Sequence, residues 1–192
     1  MASEGLNSPA WWDEKGQKYV AKNDLRYRPH EFEIAAEWCT GSVIEIGPAL
    51  GAFSAYLPDN VQYLGVDCSK YLVAEARKRH PNRIFVEGSV LKLGEHWKKA
   101  FGTAVAMQTL EHFTRPDFEE ALRRMVMVAR DRLIVSVPRG MPSPSDRKND
   151  GHLIGWLDDR DFGLDLSRYG EVVPIRGAEN HICAVLNLRK DA

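Results

Sequence analysis

Short apolar runs alternate with helical patterns along most of the chain. The runs Val43–Ile46, Tyr63–Val66, Arg83–Val86, Ala104–Met107 and Leu133–Val137 have the length of buried strands. A helical segment through Ile34, Ala35 and Trp38 leads into the first run, and Phe53 to Leu57 predicts a helix after it. Ser69 is a good N-cap for the next helix, which carries Leu72, Val73 and Ala76 on one face and has Pro81 just past its end. Thr114 and Asp117 form a start resembling a capping box, with Pro116 in the first turn, and the helix continues through Leu122, Met125 and Val126. Strands that alternate with helices in this way predict an α/β domain with a mostly parallel sheet.

The character changes after Pro138. Residues 139–152 are rich in proline, serine, aspartate and basic residues and predict a long loop, a length usually found where loops are functional or disordered. Asp158 and Asp161 begin a short helix. Two last strands, Val172–Ile175 and Ile182–Leu188, are joined by the turn Gly177-Ala178-Glu179-Asn180. Two successive strands imply an antiparallel strand at one edge of the sheet or inserted in it. The expected fold is a doubly wound, mostly parallel seven-stranded α/β sheet with an antiparallel C-terminal strand. Residues 1–192 form one domain, with 29–192 as its core. Residues 1–28 are polar but carry Trp11, Trp12, Tyr19 and Tyr27. These rings either close over a site as a lid or pack on the outer face. The lid is favoured, because apolar rings in a polar stretch need a surface to bury against.

Lysine plus arginine (26) nearly matches aspartate plus glutamate (27), so no long-range field draws in nucleic acid or an anionic membrane. The basic run Arg77-Lys78-Arg79 closes a helix, where cations complement the dipole. Cys39, Cys68 and Cys183 are odd in number and far apart, which suits reduced thiols rather than a disulfide framework. The polar start offers no signal peptide, and no apolar run approaches the ~20 residues of a membrane span. A cytoplasmic enzyme is expected. No bound metal is expected either, since no His/Asp/Glu set shows ligand spacing and Asp146, Asp150 and His152 share a single loop.

The candidate chemistry begins at Glu45-Ile46-Gly47-Pro48-Ala49-Leu50-Gly51, between a buried strand and a helix. Ligands of open α/β sheets bind at such carboxyl ends, and Asp67, at the end of the next strand, can accept hydrogen bonds from ribose hydroxyls. A dinucleotide is disfavoured. The fingerprint wants glycines where the chain has Gly47, Ala49 and Ala52, and Pro48 has no N–H to offer a phosphate. No Gly-Lys-Ser/Thr signature is present. The loop suits a nucleoside without phosphates, or else is merely a tight turn that needs glycine.

Across roughly residues 30–188 the order of motifs resembles the class I S-adenosylmethionine-dependent methyltransferases. Glu45, Gly47 and Gly51 match the family's acidic-x-Gly-x-x-x-Gly loop, and the resemblance implies that this loop, with Pro48, lines the methionine part of the cofactor. Asp67 matches the ribose-binding acid, with Cys68 beside it. Gly88-Ser89-Val90 matches the segment flanking adenine, with Ser89 toward the exocyclic amine and the Val90 N–H toward a ring nitrogen. Gln108-Thr109-Leu110-Glu111-His112-Phe113 is similar to the Leu-Glu-His signature, which puts Gln108 beside the methionine moiety. The chain departs from the pattern at Ala49, often glycine, and at Ser89 and Gly102, often aspartate.

The resemblance implies in-line transfer of the sulfonium methyl, with S-adenosylhomocysteine as product and the cofactor carrying the hard chemistry. The catalytic candidates on the acceptor side are His112 and His152, whose pKa class suits a general base; each could instead order or solvate its loop. Arg139 could clamp an anionic substrate or face solvent, and Glu111 is a weaker base candidate. His30 and His181 read as structural. A small-molecule acceptor is expected, because no appended recognition domain or basic face is evident. Three other readings stay open: methylation of a protein or nucleic acid, an NAD-dependent oxidoreductase, and a non-catalytic scaffold.

Overall fold

Seven strands form one sheet in the order β3-β2-β1-β4-β5-β7-β6. The strands are β1 (Val43–Ile46), β2 (Tyr63–Asp67), β3 (Ile84–Glu87), β4 (Phe101–Met107), β5 (Ala129–Pro138), β6 (Gly170–Ile175) and β7 (His181–Leu188). The first five pair in parallel, whereas β7 runs antiparallel to both β5 and β6. The expected antiparallel strand is therefore inserted between its neighbours rather than placed at the edge. Among the described residues, five helices accompany the sheet: α1 (Pro9–Ala21), α2 (Pro29–Glu37), α3 (Lys70–Arg79), α4 (Arg115–Val128) and α5 (Asp159–Leu166). The computed structural model describes residues 6–22, 29–140, 151–175 and 181–189. Tyr27, the 177–180 turn, most of the 139–152 loop, Asp146 and Asp150 lie outside the described residues. Among those described, no helix is long and apolar enough to cross a membrane.

Alternation along the strands divides the core into two layers. Ile44, Ile46, Ala104, Ala106, Leu133 and Val135 face α4 through Phe118, Leu122 and Met125. Val43, Val105, Met107 and Ile134 face the opposite layer, which holds Phe32 and Ala35 of α2 and Val73 and Ala76 of α3. Because both faces are covered, β4 is buried at every residue, and such strands read as continuous apolar runs.

The helix starts fall where the capping residues predict them. The Ser69 hydroxyl accepts from the Leu72 N–H at 3.0 Å, Thr114 accepts from Asp117, and Asp158 accepts from Arg160 and Asp161. The segment expected as a helix after β1 is instead a five-residue 3-10 turn, Ala52–Tyr56. Gly51, at φ +80°, bends the chain into it and Pro58 closes it, which leaves too few residues for an α-helix.

β4 and β5 begin earlier than their apolar runs, because Phe101 pairs with Ala129 and Thr103 with Arg132 in the ladder. A Cβ at Gly102 would stand 2.0 Å from the carbonyl oxygen of Thr40. Close backbone packing therefore explains the glycine at this position.

Candidate active site

Strand order reverses between β1 and β4, and the carboxyl ends of those two strands diverge there. A cavity of about 970 Å³ opens at that point. All but one of the residues assigned to the cofactor or to catalysis from the sequence line it: Glu45, Gly47, Pro48, Asp67, Cys68, Gly88, Ser89, Val90, Gln108, His112 and His152. Gly51 itself is the exception. It stands just behind the lining, where a Cβ would meet Phe85 and His80 at 2.7 and 2.9 Å.

The backbone at this edge is bent into rarely used conformations. Ala49 (φ +49°) and Gln108 (φ +54°) are left-handed without being glycine, and Gly47 has φ +67°. Such residues persist only where their surroundings hold them. The Ala49 N–H donates to Asp67 Oδ2 at 3.1 Å, and the Gln108 N–H donates to the Ser136 carbonyl at 2.9 Å. Gln108 Nε2 also donates to Ser136 Oγ at 3.0 Å. A Cβ on Gly47 would lie 2.6 Å from Thr109, so glycine is what lets the loop after β1 close on the loop after β4.

Two buried carboxyls flank this loop. Glu45 is 3% exposed, and the Tyr63 hydroxyl donates to it. Burial pushes its pKa up to about 8; the Tyr63 hydrogen bond opposes that rise and the Asp67 charge adds to it. Asp67 Oδ1 accepts from the Ser69 N–H at 2.9 Å. Burial raises Asp67 to about 6 against the pull of the Ser69 and Ala49 N–H groups. Each oxygen retains a second lone pair toward the cavity. Burial, followed by the Asp67 charge, pushes the Cys68 thiol up to about 12, which keeps it protonated and inert as a nucleophile.

Because Glu45 holds its proton more tightly folded than unfolded, its contribution to stability is complete below its ordinary value of 4.5 and is lost as pH rises through about 8. Asp67 acts in the same sense at lower pH. Urea denaturation of the ligand-free protein should therefore show stability falling as pH rises from about 4.5 to about 8 and levelling off above that. Glu45→Gln should flatten that fall; an unchanged slope in the variant would show that Glu45 ionises as an ordinary carboxylate.

Ser89 lines the cavity and also caps a turn. Its hydroxyl accepts from the Leu91 N–H at 3.3 Å and caps the short turn Val90–Lys92, so only its proton and one lone pair remain for a base. Arg139 is exposed, and it grips both oxygens of Asp159 at 3.0 and 2.9 Å. His181 Nδ1 lies 2.5 Å from Glu31 Oε1 and ties β7 to α2, in keeping with a structural part, and His30 is exposed at the start of α2.

Helix α1 contributes Pro9, Trp12 and Tyr19 to the lining of the cavity. Asp13 anchors it to α3 by accepting from Ser69 Oγ at 2.6 Å and the Tyr71 N–H at 3.0 Å. The Trp12 ring stands edge-on to the His112 ring, centroids 4.7 Å apart. Asn7 was not foreseen. Its Nδ2 donates to the carbonyls of His112 (2.8 Å) and Gly151 (2.7 Å) and pins two loops together. The only sequence signal for it is that asparagine tolerates the left-handed φ of +61° found there.

The lining offers the carboxyls of Glu45, Asp67, Glu111 and Asp117 against the cations Lys92 and Arg139. That balance favours a cationic nucleoside over a pyrophosphate. Residues 43–132 match the family described as a methyltransferase domain. These residues form a methyltransferase domain, and the order of the loops at the site is that of the class I S-adenosylmethionine-dependent methyltransferases.

Among solved structures, the N-methyltransferase NodS from Bradyrhizobium japonicum, in complex with S-adenosylhomocysteine, superimposes with a TM-score of 0.70 at 17% identity, over 92% of this chain and 98% of that one. Magnesium protoporphyrin IX methyltransferase from Synechocystis, with bound S-adenosylmethionine, gives 0.58 at 15% identity over 94% and 79%. The [4+2]-cyclase SpnF gives 0.64 at 17% over 83% and 80%. At these identities the likeness is one of fold, and a cyclase among the neighbours shows that the fold serves more than one reaction. For this methyltransferase, S-adenosylmethionine is the cofactor. The left-handed Gly47–Ala49 loop fits its methionine portion, and the Asp67 lone pairs fit the ribose hydroxyls. The dehydrogenase reading loses its basis here.

Proposed function

We propose that this methyltransferase modifies a small molecule enclosed beneath α1. The observation that carries the reading is the cover itself. Trp12 stands on His112, and Asn7 ties the His112 loop to Gly151, so the acceptor side is roofed by the chain's own helix. An open groove with clustered arginines, which a protein or nucleic acid strand would need, is not found among the described lining residues. The cavity of about 970 Å³ must hold cofactor and acceptor together, which limits the acceptor to modest size. Within it, Glu111, His112 and His152 meet the acceptor, while Gly47, Asp67, Gly88 to Val90 and Gln108 hold the cofactor. Exclusion of water under the cover favours transfer over side reactions.

Incubation with methyl-labelled cofactor and a lysate, followed by acid precipitation, tests this. Label is expected in the soluble, low-molecular-weight fraction. Label confined to precipitated protein or RNA would overturn the small-molecule reading and leave the cofactor site intact.

A further inference from the structure

Glu111, His112 and His152 come from two loops, and their ligand atoms converge at the acceptor end of the cavity, all within 4.8 Å of one another. Glu111 Oε1 lies 3.9 Å from His112 Nε2 and 4.0 Å from His152 Nε2. We propose that these three side chains form a binding site for a divalent transition-metal ion that holds the methyl acceptor through oxygen. The inference rests on the reading of this end of the cavity as the acceptor side.

Three observations carry it. The first is the tautomer. His112 Nδ1 stands 3.1 Å from the Gly151 carbonyl, an oxygen that can only accept. Nδ1 therefore carries the proton, and in the neutral ring Nε2 turns its lone pair toward Glu111. A carbonyl that fixes one nitrogen so that the other can ligate is the usual support of a metal-bound histidine.

The second is spacing. At 3.9 and 4.0 Å the nitrogens are too far from the carboxylate oxygen for a hydrogen bond. An ion with bonds of about 2.0–2.2 Å spans such separations after a small inward movement of the side chains. The third is the scaffold. Glu111 is 2% exposed, and its carbonyl accepts from the N–H groups of Leu153 (2.7 Å) and Ile154 (3.3 Å), which locks the strand of chain bearing His152 against the turn bearing Glu111 and His112. A held, buried carboxylate and two imidazoles whose ligand atoms lie within 4.8 Å of one another are a donor set that suits a divalent cation.

Two histidines and one carboxylate leave open coordination positions, which is how catalytic sites differ from closed structural ones. An acceptor hydroxyl bound there has its pKa lowered and gives its proton to solvent. The oxygen–methyl bond then forms as the sulfonium–methyl bond breaks, releasing S-adenosylhomocysteine as a neutral thioether. Spacing along the chain could not show this site, since 39 residues separate His112 from Gly151.

The test titrates chelator-treated protein with Co2+, followed by its visible absorption bands, beside calorimetry with S-adenosylhomocysteine. Wild type should bind a single ion per chain. His152→Ala and Glu111→Gln should bind it at least about tenfold more weakly while retaining S-adenosylhomocysteine affinity. X-ray absorption of Zn2+-loaded wild type, which needs no variant, should show a nitrogen and oxygen shell containing two imidazoles. Absence of ion binding, a sulfur ligand, or equal affinity in the variants would overturn the site. Ion binding without any S-adenosylhomocysteine binding would uphold it and count instead against the cofactor assignment.

Discussion

Asp67→Ala is expected to weaken S-adenosylhomocysteine binding by about 100-fold or more, measured by calorimetry with NAD as the control ligand. Two effects add. Ribose hydroxyls donating to an ionised carboxylate form charge-assisted bonds worth roughly 1.5–3 kcal/mol each, and about 2.7 kcal/mol already corresponds to 100-fold. The carboxylate also accepts the N–H groups of Ala49 and Ser69, so its loss frees the left-handed turn that shapes the methionine pocket. Ribose donors stabilise the charged form of a group that burial has raised to about 6. Wild-type affinity should accordingly fall as pH drops below that value, and the fall should vanish in the variant. Retained binding in Asp67→Ala would remove Asp67 from the cofactor site.

The largest loss of stability is expected at Trp156, which does not itself line the cavity. Trp156 is 1% exposed, packs edge-on to Phe162 at 4.7 Å and lies against Phe118 at 5.2 Å. Its Nε1 donates to Asp165 Oδ2 at 2.8 Å, and Arg115 holds the same carboxylate from α4. This one side chain fastens α5 to α4 and to the end of β5, where Gly140 donates to its carbonyl. Trp156→Ala should cost about 3–5 kcal/mol, a cavity and a lost hydrogen bond together, and lower Tm by roughly 10 °C for a chain of this size. Trp156→Phe keeps most of the packing and loses the N–H, so it should cost only about 1–2 kcal/mol. Equal losses in the two variants would mean that the hydrogen bond to Asp165, rather than packing, holds the α5 region in place.

The parallel strands were legible because burial on both faces writes them as unbroken apolar runs, and the order of loops followed from the alternation. Element starts were legible where a side chain does the capping, as at Ser69, Thr114 and Asp158. The openings of β4 and β5 were not, because they belong to the sheet through pairing with each other, which no local pattern records. The helix expected over Phe53 to Leu57 became a 3-10 turn for want of length. At the site, the residues expected to hold the cofactor were legible as one cavity-lining series, since each lies at or just after the end of a strand. Ser89 as a cap, Arg139 held by Asp159, Asn7 across two loops and the meeting of Glu111 with His152 were not, because each depends on contacts between distant segments.

The antiparallel β7 has a consequence for the order in which the sheet can be completed. Within the described sheet β6 pairs with β7 alone, and β7 is also the strand that covers the free edge of β5. β6 therefore has nowhere to dock until a segment that follows it in the chain is already in place. The β5 edge, with its buried Leu133 to Val137, stays open for the same interval. An open apolar edge is a template for pairing with another chain. The last described strand thus acts as a seal: the protein is exposed to edge-to-edge association until residues 181–188 are laid down, and protected from it once they are.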